Sequence, residues 1–187
     1  MMAGRRMDLE LERKFCAGTE ALALTEGHEI AGYASYFGAC DQGGDVVEPG
    51  AFAGSLAALA DRGQRVKMLW QHDPAQPIGV WDVVREDGRG LYVKGHILSE
   101  IGRGREAAAL IGAGAIDGLS IGYRTRRATK DSAGRRRLAE VELWEVSLVT
   151  FPMLREARVG AKADADDGWM QEFAAALKLA RNDMSRR

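Results

Sequence analysis

The chain has 187 residues, enough for one domain, or one domain plus a tail, with a core that folds without disulfide bonds. Its 26 Lys and Arg residues nearly balance 27 Asp and Glu residues, so the net charge of -1 gives no global attraction to nucleic acid or to an anionic membrane. Two cysteines, Cys16 and Cys40, are too few for a disulfide framework or a four-ligand zinc site, which favours a reducing compartment. No apolar run approaches the ~20 residues of a membrane helix, and the start MMAGRRMDLELERKF lacks the apolar core of a signal peptide, so we expect no export.

Glycine is the compositional outlier, with 23 residues. Its usual share is about 7%, and an excess favours tight turns and a strand-rich fold. Charged and apolar residues alternate over residues 8–13, which predicts a first strand, and IAGYASYF at 30–37 predicts a second. The segment ACDQGGDVVEPG at 39–50 is predicted to be a loop.

Two helices are predicted in the body of the chain. The first is short and amphipathic, because its apolar and small residues recur at i, i+3, i+4 and i+7 from Phe52, with Gly63 just beyond its end. The second covers residues 101–111, where an Ala-rich run precedes Gly112 and Gly114. Five further strands are predicted, at residues 66–70, 78–85, 91–98, 118–127 and 137–151. We expect Pro74 to stop the pairing of the strand at 66–70 and to turn the chain.

The sum is about seven strands with two or three helices, mostly in hairpin order. This predicts a β-rich α+β fold, namely a closed or partly open β-barrel surrounded by a few helices. The last part of the chain differs, because AKADADDG reads as a linker and residues 169–180 carry apolar side chains at helical spacing. We therefore predict a barrel domain over residues 1–155, followed over 156–187 by a linker and a C-terminal amphipathic helix.

Among the three histidines, His72 is the candidate for chemistry. His28 lies in the polar turn TEGHE and is interpreted as a solvated loop residue, and His96 lies on the Tyr92 side of its strand, facing away from the apolar residues. His72 ends an apolar strand directly before Asp-Pro, where rigid backbone fixes the side chain while the ring can still reach a cleft. A structural histidine at that position is the alternative.

Ser120 lies in the segment DGLSIGY, on the same strand face as Gly122. With Gly118 and Gly122 beside it, we expect room for another backbone or a peptide substrate to approach its hydroxyl. Serine is a poor nucleophile unless an imidazole within hydrogen-bond reach removes its proton. The alternative is an ordinary strand serine beside a bulge.

Glu145 interrupts the apolar run LWEVSLV. Burying an ionised carboxylate without a partner costs on the order of several kcal/mol, so Glu145 should be paired, hydrogen-bonded or at a cleft. A carboxylate near an imidazole fixes its tautomer, whereas a salt bridge to a nearby arginine is the alternative. Strand parity places Glu142 on the opposite face unless a bulge intervenes.

The segment from 124 to 137 concentrates positive charge. It could attract acidic protein segments or nucleic acid, but we interpret it as a long solvated hairpin. Its cations are Arg124, Arg126, Arg127, Lys130, Arg135, Arg136 and Arg137, against a single acid, Asp131.

The segments WQHD, GLSIGY and ELWEVSLVTFP occur in this order, together with a GxYxSxFG-like strand and VVEPGAF. In this order and spacing they resemble the prohead maturation proteases of tailed phages, over roughly residues 30–152. That family is similar in fold to the herpesvirus capsid-assembly proteases, which form a closed β-barrel ringed by helices. The resemblance implies that Ser120 is the nucleophile, His72 the general base and Glu145 the acidic member of a catalytic triad. His96 is an alternative third member, because the herpesvirus relatives use a second histidine, and Glu142 and Asp73 are further candidates.

The resemblance also implies a function. It points to a serine endopeptidase that needs no cofactor or metal and cuts scaffold, major capsid protein and itself inside the assembling prohead, in the cytoplasm of a bacterial host. We expect an oligomer without membrane or specific nucleic-acid partners, whose C-terminal tail can be removed by self-cleavage. An inactive scaffold-binding barrel is the alternative and would hold Ser120 and His72 far apart. A nucleic-acid-binding barrel that uses the arginine hairpin is a third hypothesis, which the balanced charge opposes.

Overall fold

The computed structural model describes the backbone of Glu12–Phe15 and Ala23–Leu24 and the whole of residues 28–151. The beginning of the first predicted strand and the predicted linker and C-terminal helix lie outside these residues. The strands are β1 (Glu12–Phe15), β2 (Ala23–Leu24), β3 (Glu29–Tyr36), β4 (Asp45–Val47), β5 (Lys67–Trp70), β6 (Asp73–Glu86), β7 (Gly90–Ile97), β8 (Gly118–Lys130) and β9 (Arg136–Val149). The helices are α1 (Ala53–Asp61) and α2 (Gly102–Gly112).

All the strands belong to one sheet with the order β1-β8-β9-β5-β6-β7-β3-β2, and β4 pairs with β9 beside this path. β4 and β5 run parallel to β9, and the other pairs are antiparallel. β3 also approaches β8 from the opposite end of the sheet, so the sheet curls into a partly open barrel. The β-rich barrel prediction is confirmed, and β2 and β4 are short strands beyond the seven that were predicted.

The barrel interior is apolar and comes from alternating strand positions. In β7, Leu91, Val93 and Ile97 are buried in the core, whereas His96 between them points outward. Trp81 of β6 is also buried, and its indole N–H donates to the Val146 carbonyl at 3.2 Å, so burial leaves no unsatisfied donor on the ring. This core supports β9 from inside the barrel.

β4 lies in the segment that was predicted to be a loop. Its Asp45 is buried and accepts two hydrogen bonds from the Arg136 guanidinium, at 2.8 and 2.6 Å, and one from the Tyr123 hydroxyl at 3.2 Å. This fork-shaped ion pair joins β4 to the beginning of β9, which explains why so short a strand forms there. The neighbouring Arg137 donates one hydrogen bond from its Nε to Glu48 Oε1 at 2.7 Å.

The hairpin formed by the 124–137 segment has an exposed end, in keeping with its interpretation as a solvated hairpin, and its arginines also pair with carboxylates. Each of the six arginines lies within ion-pair distance of a carboxylate, and four of the acids involved come from outside the segment. The pairs join Arg124 and Arg126 to Glu142, Arg127 to Glu140, Arg135 to Asp131, Arg136 to Asp45 and Arg137 to Glu48.

Pro74 does not end the pairing of β5, contrary to prediction. β6 begins at Asp73 opposite Trp70, and the ladder resumes with Leu69 opposite Pro77. Residues 74–76 therefore have no partner in β5, so the irregular ladder accommodates Pro74 without losing a hydrogen bond.

Within the described part of the chain, neither helix is long and apolar enough to cross a membrane.

Candidate active site

The turn that carries His72 has an unusual backbone. β5 and β6 are joined by only two residues, Gln71 and His72, with φ angles of 52° and 62°. Two central residues with positive φ correspond to a type I′ hairpin turn, for which Asn-Gly is the favoured sequence. For residues with a Cβ, the left-handed conformation costs roughly 1–2 kcal/mol each, so the rest of the structure must hold the turn in place.

Hydrogen bonds fasten this turn to the end of β9. The Gln71 N–H donates to the Leu148 carbonyl at 2.9 Å, and the His72 N–H donates to the Ser147 hydroxyl at 3.1 Å. The Gln71 side chain donates to Thr150 Oγ1 at 2.6 Å and accepts from the Thr150 N–H at 3.3 Å. These bonds offset the backbone strain and fix the position from which the His72 ring projects.

The His72 ring lies between a serine and a carboxylate. Its Nε2 is 2.5 Å from Ser120 Oγ, and its Nδ1 is 2.5 Å from Glu145 Oε1. A carboxylate accepts only, so Nδ1–H donates to Glu145 and Nε2 is left to accept the Ser120 O–H. Ser120 is 0%, Glu145 3% and His72 8% exposed, so little water screens these contacts.

The pairing of β8 with β9 brings Ser120 and Glu145 to one face of the sheet. Ser120 lies opposite Ser147, and Gly122 lies opposite Glu145. A Cβ on Gly122 would stand 2.1 Å from Glu145 Oε1, so only glycine leaves room for the carboxylate. The space above Gly122 was expected to admit substrate; the structure instead fills it with the Glu145 side chain.

Ser147 contributes two contacts that sequence reasoning missed. Its hydroxyl donates to Glu145 Oε2 at 2.6 Å and accepts the His72 N–H. One buried hydroxyl thus joins the carboxylate to the turn that carries the imidazole. The signal in the sequence was the Glu-x-Ser spacing, which puts two polar side chains on one face of an apolar strand.

The alternative third members lie elsewhere. His96 is 2.8 Å from Asp82 on the outside of the barrel, with both side chains more than two-fifths exposed. The Asp73 carboxylate accepts the Ala75 N–H at 2.9 Å, and Glu142 binds arginines of β8. Of the four candidates, Glu145 is the one that contacts the His72 ring.

A bulge at Trp144 changes the expected strand parity. Gly122 pairs with Glu145, but the next residue, Tyr123, pairs with Leu143, so Trp144 is the extra residue in β9. The bulge brings Glu142 to the same face as Glu145, which parity alone had placed opposite. The two carboxylates are nevertheless separated, because Glu142 aligns with Arg124 two pairs further along.

This arrangement has the parts that activate a serine. A base touches the hydroxyl, a carboxylate touches the other nitrogen of the base, and a second hydroxyl fixes the carboxylate. Within residues 28–151, no group of three or more His, Cys, Asp or Glu side chains is arranged to hold a metal ion. The contacts of Ser120, His72 and Glu145 have the geometry that nucleophilic attack by a serine hydroxyl requires.

Comparison with known proteins gives the family. The model of the caudovirus prohead serine protease family matches residues 18–169. The prohead protease of Enterobacteria phage HK97 is 33% identical over 138 residues, which cover 72% of this chain and 60% of that protein. In fold, the chain is similar to the bacteriophage T4 capsid assembly protease, with a TM-score of 0.60 and 17% identity over 75% of this chain and 97% of that one. The chain belongs to the caudovirus prohead serine protease family.

Proposed function

We propose that this protein is a serine endopeptidase in which Ser120 is the nucleophile, His72 the general base and Glu145 the residue that orients the base. The observation that carries the proposal is the continuous line of contacts from Ser120 Oγ through both ring nitrogens of His72 to Glu145. An inactive scaffold-binding barrel would have no need to keep these side chains in contact, and the family supports a protease.

The proposed reaction passes through an acyl-enzyme. His72 Nε2 takes the Ser120 proton while Oγ attacks the scissile carbonyl carbon, and the imidazolium then gives this proton to the leaving amine nitrogen. Water then enters, and His72 removes its proton while the water oxygen attacks the acyl carbon. The bond from this carbon to Ser120 Oγ breaks, the imidazolium returns the proton to Oγ, and the acyl group leaves as a carboxylic acid. Glu145 stabilises the imidazolium in both halves, and its low exposure strengthens that effect.

We further propose that the substrates are capsid precursors. The HK97 relative is named a prohead protease and the T4 neighbour a capsid assembly protease, which supports scaffold and major capsid protein as targets inside the assembling particle, in the bacterial host cytoplasm. The proposal includes a catalytic domain over residues 1–155, a tail over 156–187 that the enzyme can remove from itself, and assembly into an oligomer.

The test is co-expression of the full chain with its capsid protein, followed by mass analysis of both. The Ser120→Ala variant should leave capsid protein and tail uncut, with turnover reduced on the order of 10⁴ to 10⁶. Its melting temperature should stay close to that of the wild type, since the change removes one hydroxyl. Normal processing by the folded variant would exclude Ser120 as the nucleophile.

A further inference from the structure

A groove of about 430 Å³ lies between α1 and the middle of β9. It forms where β9 has neither β4 nor β5 as a neighbour, because these strands pair with 136–138 and 145–148. α1 covers the gap, and its Ser55 hydroxyl accepts the Leu143 N–H at 2.9 Å. The polar rim of the groove includes Arg62, Arg65, Lys67, Arg126, Glu142 and Trp144.

The groove opens on the same face of the sheet as the candidate triad. Lys67 of β5 aligns with Glu145 of β9, and Trp144 is the bulged residue directly before Glu145. Ser120 is two strands away from Lys67 and two residue pairs along, which corresponds to about 12 Å between backbones. An extended peptide with its scissile bond at Ser120 would reach the groove within about four residues.

The groove has positive charge that its own acids do not neutralise. Glu142 and Glu140 each lie within ion-pair distance of an arginine of β8. No carboxylate of the described residues lies within 4.0 Å of the other three rim cations, all of them exposed. These cations are Arg62, Arg65 and Lys67.

We propose that this groove is a substrate subsite that binds acidic side chains of an extended peptide, within about four residues of the scissile bond. The inference rests on the proposed protease function. The three cations supply the charge complementarity, and Trp144, which is 44% exposed and has the Arg124 guanidinium 5.3 Å from its ring centre, supplies an amphipathic wall. Glu140 and Glu142 would repel the continuous phosphate backbone of a nucleic acid, whereas a peptide can place single carboxylates beside the cations.

The test measures binding without cleavage. Full-length Ser120→Ala protein is titrated by fluorescence polarisation with labelled octapeptides in which alanine alternates with glutamate, glutamine or lysine. Lys67→Glu and Arg65→Glu should each weaken binding of the glutamate peptide by about two- to five-fold, as exposed charge pairs do. The double variant should prefer the lysine peptide. Lys130→Glu is the matched control on the exposed hairpin end and should leave the preference for glutamate in place.

Equal binding of the three peptides, or equal weakening by Lys130→Glu, would overturn the subsite. Tighter binding of an octathymidylate strand than of the glutamate peptide, with loss in Lys67→Glu, would assign the groove to nucleic acid instead. Either result would leave the proposed protease function standing if Ser120-dependent processing is observed. Normal processing of capsid protein by the Ser120→Ala variant would instead count against the protease function. The peptide-binding measurement is made without cleavage, so the two failures can be told apart.

Discussion

Replacing Gly122 with alanine tests how closely the site is built around Glu145. The new Cβ would lie 2.1 Å from Glu145 Oε1, and a carbon and an oxygen need roughly 3.2 Å, so the carboxylate must move by about 1 Å. If it moves away from the ring, its 2.5 Å contact with His72 Nδ1 lengthens to about 3.5 Å, which is beyond a useful hydrogen bond. Loss of the orienting carboxylate costs about 10⁴ in turnover in the best-known serine protease triad, so we expect a fall of roughly 10² to 10⁴.

The assay is the rate at which a fluorophosphonate probe labels the protein, with cleavage of capsid precursor as a second readout. Gly88→Ala is the matched control, because a Cβ there meets nothing within 4 Å and its φ is not positive. The control should label at the wild-type rate. If folded Gly122→Ala protein also labels at that rate, Glu145 does not orient His72 in the way the structure indicates.

Three further predictions concern the supports of the site and of the fold. Ser147→Val should lower kcat/KM by about ten- to a hundred-fold, whereas Ser147→Thr, which has the shape of valine but keeps the hydroxyl, should retain most activity. Equal activity of the two variants would show that the hydroxyl is dispensable. Arg136→Ala should lower the free energy of unfolding by about 1–3 kcal/mol, because it removes the cation paired with the buried Asp45 carboxylate, while the guanidinium itself is 40% exposed. Arg135→Ala, at an exposed pair, should cost less, and chemical denaturation that ranks the two variants in the reverse order would contradict this. Burial alone would raise the pKa of Asp87, but hydrogen bonds from two backbone N–H groups and a tyrosine hydroxyl hold that pKa below its ordinary value. The contribution of these bonds to folding stability is therefore present at neutral pH and is lost as the pH falls through the lowered pKa. The stability difference between wild type and Asp87→Asn should therefore begin to shrink below about pH 5 and go on shrinking until the pH has fallen through the lowered pKa of Asp87, and a constant difference would disprove the assignment.

The long strands and both helices were predictable from the sequence, because their apolar periodicity is a local property. β4 was not, because its three residues lie among glycine and acidic residues and its partner on β9 is 91 residues away in the Asp45–Arg136 pair. Local propensity cannot report a parallel pairing whose stability comes from a remote arginine. The position of Pro74 inside β6 was also not predictable, because it depends on an irregular ladder that leaves this residue without a partner in β5.

The three triad candidates were identified because each combined a reactive side chain with a distinctive local sequence. The geometry around them was not predictable, because it depends on register. The bulge at Trp144 moves Glu142 to the other face of β9. Gly122 pairs with Glu145, so the Glu145 carboxylate fills the space that was expected to admit substrate. From the sequence alone, Ser147 is an ordinary strand residue. Its role depends on the turn between β5 and β6, where the His72 N–H donates to its hydroxyl.

The central claim is that His72 activates Ser120 for attack, and covalent labelling measures this directly. After reaction with a fluorophosphonate, peptide mapping should find the adduct on Ser120 Oγ, and the labelling rate should fall by about 10³-fold or more in His72→Ala. An adduct on another serine, or an unchanged rate in folded His72→Ala protein, would contradict the account.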